Sequence, residues 1–160
     1  MSKAKREIED GKTYLEDLLG HEVRMFAYPG GRYNESVKRL VRDSGFTAAR
    51  TAKFRDFNLP VDPYSWQITF LTSDGSPIRT ARTWLKNRIA LKSLLDWETR
   101  AKLVFDRASR LGGIYHLYGH SLELEINLGW HKLERVLDYI SQRRHVQHMT
   151  NGEIFQQFYG

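Results

Sequence analysis

Two short segments carry residue types and spacings able to do chemistry. The first, Tyr28-Pro29-Gly30-Gly31-Arg32-Tyr33-Asn34, follows a short apolar run, and its paired glycines let the backbone approach a ligand and present N–H groups to a developing oxyanion. The plain alternative is a Pro-Gly turn leading into a helix capped by Asn34. The second runs from Ile114 to Glu123 and contains His116, Tyr118, Gly119, His120 and Ser121. Strand alternation would put residues 114, 116, 118 and 120 on one face, so both histidines point the same way. Extended backbone sets them about 13 Å apart at roughly 3.3 Å per residue, too far for both to ligate one metal ion. One is then functional and the other structural. His120 is nearer the end of the strand and beside the flexible Gly119, which favours it as an acid/base residue. The alternative is a hydrogen-bonded core histidine.

Such residues act only where the elements before and after them hold them. Ile8, Leu15, Leu18 and Leu19 fall on one helical face, and Gly20 follows as a stop, which predicts a first helix. Val23 to Ala27 reads as a strand feeding the Tyr28-Pro29-Gly30-Gly31 turn. Asn34 then caps a helix with Val37, Leu40 and Val41 inward, ended by Gly45, and Phe46 to Arg50 is the next strand. The stretch from Thr51 to Pro77 is irregular, with Pro60, Asp62-Pro63 and a turn at Asp74-Gly75, and contains one strand candidate, Gln67 to Leu71. Thr83 to Arg110 predicts one or two helices with Trp84, Leu85, Ile89, Leu94, Leu95, Leu103 and Val104 in the core. Ile114 to Tyr118 is a strand, and Trp130, Leu133, Val136, Leu137 and Ile140 mark a further helix. A short strand near Val146 to Met149 and a helix begun by the capping-box pair Thr150 and Glu153 close the chain. Strands alternating with helices define an α/β class with mainly parallel strands, in which ligands gather beyond the strands' C-terminal ends. The length of 160 residues fits one domain, 1–160.

In this order the segments resemble the polysaccharide deacetylases of the NodB-homology class, carbohydrate esterase family 4. Phe26-Ala27-Tyr28-Pro29-Gly30-Gly31 is similar to the aromatic-R-x-P-aromatic-G motif that follows a strand in that family. Tyr118-Gly119-His120-Ser121 with Glu123 resembles its last motif, in the G-H-S-x-E form. Between them, Gly45 to Arg50 resembles a Gly-Phe-x-x-Ala-Arg strand, and Pro60-Val61-Asp62-Pro63-Tyr64-Ser65-Trp66 a looser Pro-Asp-Pro-x-x-Trp loop. The resemblance implies a distorted (β/α) barrel that hydrolyses N-acetyl groups of a glycan. In it a divalent metal such as zinc polarises the acetamide carbonyl, an Asp is the base and a His the acid. Carried onto this chain, Gly30 would supply an oxyanion N–H and His120 the acid. Tyr28 and Trp66 would line the sugar groove, with His116 and Glu123 as further substrate-binding residues.

The chain also departs from that pattern. The T-F-D-D-G segment and the metal-binding H-x-x-x-H pair are expected N-terminal to everything seen here, and no Asp-Asp pair occurs. Ala27 stands where the third motif has arginine, and Gly30 where it has an aromatic. The expectation is therefore the C-terminal part of a deacetylase barrel, with a metal in the full family domain and none held by this chain alone. The first strand would have an open edge, free to take the missing N-terminal half or a second copy. Two other readings remain: a non-catalytic carbohydrate-binding or interaction domain, and a serine hydrolase using Ser121. The latter needs glycine where Glu123 stands and a helix directly after the serine, whereas a polar stretch precedes Trp130.

Composition narrows the partners. The net charge is +6, but Lys and Arg are interspersed with Asp and Glu, and no nucleic-acid motif accompanies them, which argues against a nucleic-acid partner. The cluster Arg143-Arg144-His145 is expected at a helix end, where it complements the helix dipole. Without cysteine, any metal site must use His, Asp or Glu. The charged start from Met1 to Glu7 has no apolar segment of a signal peptide, and no apolar run is long enough to span a membrane. The compartment is left open.

Overall fold

A computed structural model of the chain describes residues 3–54, 57–72 and 96–160. The helices are α1 (Lys3–Leu19), α2 (Glu35–Asp43), α3 (Trp97–Leu111), α4 (Ser121–Ile126), α5 (Trp130–Ser141) and α6 (Asn151–Tyr159). The strands are β1 (Met25–Ala27), β2 (Ala48–Phe54), β3 (Trp66–Ile68), β4 (Phe70–Leu71) and β5 (Leu117–Tyr118), with single 3₁₀ turns at Pro29–Gly31 and Pro63–Ser65. The chain divides into two compact units, one of residues 1–53, 59–67 and 148–160 and the other of residues 54–58 and 68–147.

In the first unit β1, β2 and β3 form a sheet in that order, with β1 and β2 parallel and Met25, Phe26 and Ala27 in register with Ala48, Ala49 and Arg50. The crossover helix α2 starts where Asn34 Oδ1 accepts the Val37 amide at 2.9 Å, and the chain leaves it through Gly45 at φ 82°. Val41, Phe46, Ala49 and Tyr28 are buried together, with Ile8, Val23, Phe26, Tyr33, Val37 and Tyr64 around them. The last helix belongs to this unit. Thr150 caps it by accepting the Glu153 amide, while the Glu153 carboxylate accepts the Thr150 amide, the reciprocal box expected from the sequence.

In the second unit β4 and β5 pair in parallel, Phe70 with Leu117 and Leu71 with Tyr118. The core is Phe57, Phe70, Trp97, Ala101, Val104, Phe105, Ala108, Leu124, Val136 and Ile140. Helix α3 begins under an Asp96 cap, whose carboxylate accepts the Thr99 amide at 3.1 Å, and ends at Gly112, φ 66°. It packs on α5 through a polar edge as well as an apolar one: Asp96 meets Lys132 at 2.9 Å, Glu98 takes three bonds from Arg135, and both Asp106 oxygens accept the Tyr139 hydroxyl.

The fold is mixed α/β with parallel strands, as expected, but the described strands form two small sheets and no closed barrel. A barrel needs a continuous staggered ladder, and two-residue strands such as β4 and β5 cannot extend one. The expected strand from Gln67 to Leu71 is split at Thr69 between the two sheets. Ile114 to His116 lie outside β5, because the Ile114 amide donates to Phe57 O and His116 O accepts both the Thr69 and Phe70 amides, an irregular pairing. Val146 to Met149 form no strand; the Val146 amide closes a turn onto Arg143 O. Leu103, expected in the core, is exposed, since the buried stripe on α3 runs through Ala101, Val104 and Ala108 on another side of the helix; on α5 the buried residues are Val136 and Ile140, and Trp130 and Leu137 are exposed. The Asp74-Gly75 turn and the helix expected from Thr83, with Trp84, Leu85, Ile89, Leu94 and Leu95, lie outside the described residues.

The α3–α5 edge carries a pH dependence. Hydrogen bonds from Arg135, and then from Lys102, hold the Glu98 carboxyl down at about 2 against the opposing effect of burial. Burial pushes Asp96 up, but Lys132 and the Thr99 amide and hydroxyl outweigh it and hold it at about 2. Both carboxyls are depressed in the folded state, so the stability they add is present above the ordinary carboxylate range and lost as pH falls toward 2. Thermal melts between neutral pH and pH 2 should show the midpoint dropping in that acid window. Glu98→Gln should flatten part of the drop and cost about 1 kcal/mol at neutral pH.

Candidate functional site

The two segments singled out by chemistry each lie just beyond a parallel strand. In the first unit β1 runs into the 3₁₀ turn Pro29–Gly31, where Gly30 has φ 61° and Gly31 φ 67°. The Gly31 amide closes the turn onto Tyr28 O at 2.7 Å and the Arg32 amide donates to Pro29 O at 3.3 Å. Neither bond uses the amide of Gly30, and Gly30 is an exposed residue. Gly31 is required twice over. Its φ is left-handed, and a Cβ there would stand 2.5 Å from Ala52 Cβ and 2.6 Å from Ala52 N.

Around this turn the aromatic rings are packed. Tyr28, expected along a sugar groove, is 4% exposed and donates its hydroxyl to Tyr64 O at 3.0 Å. Burial, and then the nearby Asp62 charge, push that phenol up to about 12. Trp66, the other groove candidate, is 1% exposed, with its indole N–H directed to the Tyr159 hydroxyl at 3.4 Å. Both rings are core residues as they stand. Tyr33, half-buried and stacked on Tyr28 at 4.7 Å between centroids, has the Lys53 ammonium 4.8 Å from its ring. Beside them Arg50 lies over Trp66 at 4.5 Å, donates through Nε and Nη2 to Asn151 Oδ1, and donates to Gln67 O at 3.0 Å. Burial lowers its guanidinium to about 10.

In the second unit β5 ends at Tyr118, Gly119 follows, and His120 takes the N-cap position of α4 with an exposed side chain. The Tyr118 hydroxyl lies 3.2 Å from His120 Nε2, with the two rings edge to face at 5.1 Å. The phenol thus orients the imidazole without burying it. A Cβ on Gly119 would stand 2.0 Å from Thr72 Oγ1, so glycine lets the buried Thr72 hydroxyl sit against the strand end. His116 is half-buried, precedes β5, and is stitched to β4 through its amide to Thr69 Oγ1 at 3.0 Å and its carbonyl to the Thr69 and Phe70 amides. His116 and His120 have the H-x-x-x-H spacing, but strand lies between them, so they stand at opposite ends of β5 rather than on adjacent helical turns. Glu123 is exposed in the first turn of α4, where a negative charge suits the helix dipole. A helix does follow Ser121 directly, contrary to expectation. Leu128 is the only described non-glycine residue with positive φ, so Ser121 does not sit on a left-handed turn.

The expected site residues are thus distributed between the units, with Tyr28, Gly30 and Trp66 in the first and His116, His120 and Glu123 in the second. Among the described residues no group of three or more His, Asp or Glu could hold a metal ion, so the donor set does not fit the metal that the resemblance implies. Sequence reasoning missed two partners. Tyr118 was readable, being two residues before His120 on the same strand face. Arg50 was signalled by its place as a cation at the end of an apolar strand, but the acceptor Asn151 lies 101 residues away and no local pattern points to it.

With this geometry in hand, comparison with known proteins places one stretch. The polysaccharide deacetylase family model matches residues 1–49, which span α1, β1, the Tyr28-Pro29-Gly30-Gly31 turn, α2 and the start of β2. The match supports a NodB-like relationship for the N-terminal stretch; it stops before the Pro60-to-Trp66 loop and before Tyr118-Gly119-His120-Ser121. No curated protein and no solved structure matches the chain.

Gly31 offers a test of the turn that the match contains. Gly31→Ala meets both a left-handed φ and the Ala52 backbone, and should destabilise the first unit by about 2–3 kcal/mol in chemical denaturation. Gly30→Ala keeps the left-handed φ but has open space around its Cβ, and should cost about 1 kcal/mol.

Proposed function

We propose that this chain is a polysaccharide deacetylase-like domain that binds an N-acetylated glycan and takes part in removing its acetyl groups. The observation that carries the reading is the family match over residues 1–49, which includes the turn where Gly30 is exposed beyond a parallel strand. There the N–H of Gly30 hydrogen-bonds the oxyanion of the attacked acetamide. In the second unit, taken by itself, His120 beside the Tyr118 hydroxyl is the candidate proton donor. Glu123 and His116 remain substrate-side candidates, and Tyr33 offers a ring closer to the surface than Tyr28 or Trp66 for stacking on a sugar face. The base and the divalent metal of the family reaction are not assigned to these residues. They would come from a polypeptide segment carrying T-F-D-D-G and H-x-x-x-H.

The test has two readouts. Titration with an N-acetylated oligosaccharide should give saturable binding. Acetate release should require a complementing segment with the two missing motifs. In that mixture His120→Ala should lower turnover by roughly 10²–10⁴-fold with the thermal transition unchanged, while His116→Ala should chiefly lower stability. Binding without any release, with the segment present, would favour a non-catalytic carbohydrate-binding domain. No binding at all would sink the glycan reading.

A further inference from the structure

Two cations flank the turn after β1 without an acid to meet them. A Cβ on Gly31 would stand 2.5 Å from that of Ala52, so Lys53, the next residue of β2, lies beside the turn. The Lys53 ammonium is 4.8 Å from the Tyr33 ring, which itself stacks on the buried Tyr28. Arg32 stands between the turn and Tyr33 in sequence, and Gly30, Arg32 and Lys53 are all exposed. The acids whose charges act on Tyr28 are engaged elsewhere. Glu35 and Asp62 both pair with Lys38, at 2.9 and 2.8 Å. Lys3, Lys5, Lys12 and Arg24 of the same unit each meet a carboxylate. Among the described residues no carboxylate forms an ion pair with Arg32 or Lys53.

The place of these cations says what they meet. Gly30 beyond β1 and Lys53 at the end of β2 share the carboxyl edge of a parallel pair, the edge at which an α/β sheet takes its ligand. Two positive charges without local acids raise the potential there and draw in an anion. The Tyr33 ring holds the ammonium near the turn, and the Arg32 guanidinium brings a planar fork that matches a carboxylate or sulfate. We propose that the glycan bound at this turn is an anionic one, selected by Arg32 and Lys53 through a carboxylate or sulfate substituent of the sugar chain. The inference rests on the glycan reading of the Gly30 turn and adds to it the class of sugar. A neutral N-acetylated polymer would leave both cations without a counter-charge.

Calorimetric titration of the full chain with three oligosaccharides of equal length tests this. They are an N-acetylglucosamine oligomer, its sulfated form, and an oligomer alternating N-acetylglucosamine with glucuronic acid. One anionic oligomer at least should bind roughly tenfold tighter than the neutral one in dilute buffer, and added salt should shrink that advantage as the screening length falls below about 10 Å. Whichever anionic oligomer binds tighter supports the proposal and names the substituent. Lys53→Gln and Arg32→Gln should each lower the ratio of anionic to neutral affinity by about threefold to fivefold. Both side chains are exposed, so the thermal transition should stay in place and show that the loss is not one of folding. Arg24→Gln removes the same charge just before the start of β1, at the far end of the strand from the turn, and should leave the ratio as it is. Equal affinity for neutral and anionic oligomers would overturn the selection and leave the glycan reading standing. A ratio that falls as much in Arg24→Gln as in Lys53→Gln would overturn it too, because net charge and not this turn would then set the preference. No binding to any of the three would sink the glycan reading and this inference with it.

Discussion

The Arg50 guanidinium is the constraint on which the first unit depends. A cation at the end of the β1–β2 register would be costly to bury unpaired, and no carboxylate is among its hydrogen-bond partners. Instead the chain supplies the Trp66 face, the Gln67 carbonyl and the Asn151 side chain. Those groups come from β3 and from the first residue of α6, so satisfying one side chain of β2 brings together three stretches far apart in sequence. The Tyr159 hydroxyl, bonded to Pro60 O, fixes the other end of α6. This is why residues 148–160 complete the unit that residues 1–53 begin.

What the sequence made legible was what depends on near neighbours. The Asn34 cap, the Gly20 and Gly45 stops and the Thr150–Glu153 box are each set by a few consecutive residues, and each forms where expected. The turn after β1 was legible for the same reason, since proline and paired glycines restrict it locally. Pairing was not legible. Gln67 to Leu71 reads as one strand, and nothing within it signals that Thr69 will turn its amide to His116 O and its hydroxyl to Ile114 O. Helix α1 shows the converse failure. Its apolar stripe was read correctly as a stripe, but periodicity alone does not tell which side the rest of the chain covers.

The candidate site was legible as positions rather than as an arrangement. Gly30 and His120 were marked by turn chemistry and by strand ends, and both side or backbone groups are exposed there. The aromatic candidates failed on a physical point. A tyrosine or tryptophan beside a glycine turn is as useful for packing as for binding, and Tyr28 and Trp66 find acceptors for their polar atoms inside the fold, which removes the usual reason for such rings to stay at the surface.

Short ladders explain why the exposed groups fall where they do. With four of the five described strands only two or three residues long, backbone pairing ends early, and side chains take over the tertiary bonds. Tyr28 donates to Tyr64 O, Tyr64 in turn to Phe46 O, Tyr115 to Ala101 O, and Thr69 bridges Ile114 O and the His116 amide. Each bond spends a phenol or hydroxyl inside the unit. Beyond β1, Gly30 has no side chain to spend in this way, while beyond β5 a single phenol, that of Tyr118, reaches the exposed His120 imidazole. Gly30 and His120 are both exposed residues just past strand ends, where an α/β sheet presents its ligands.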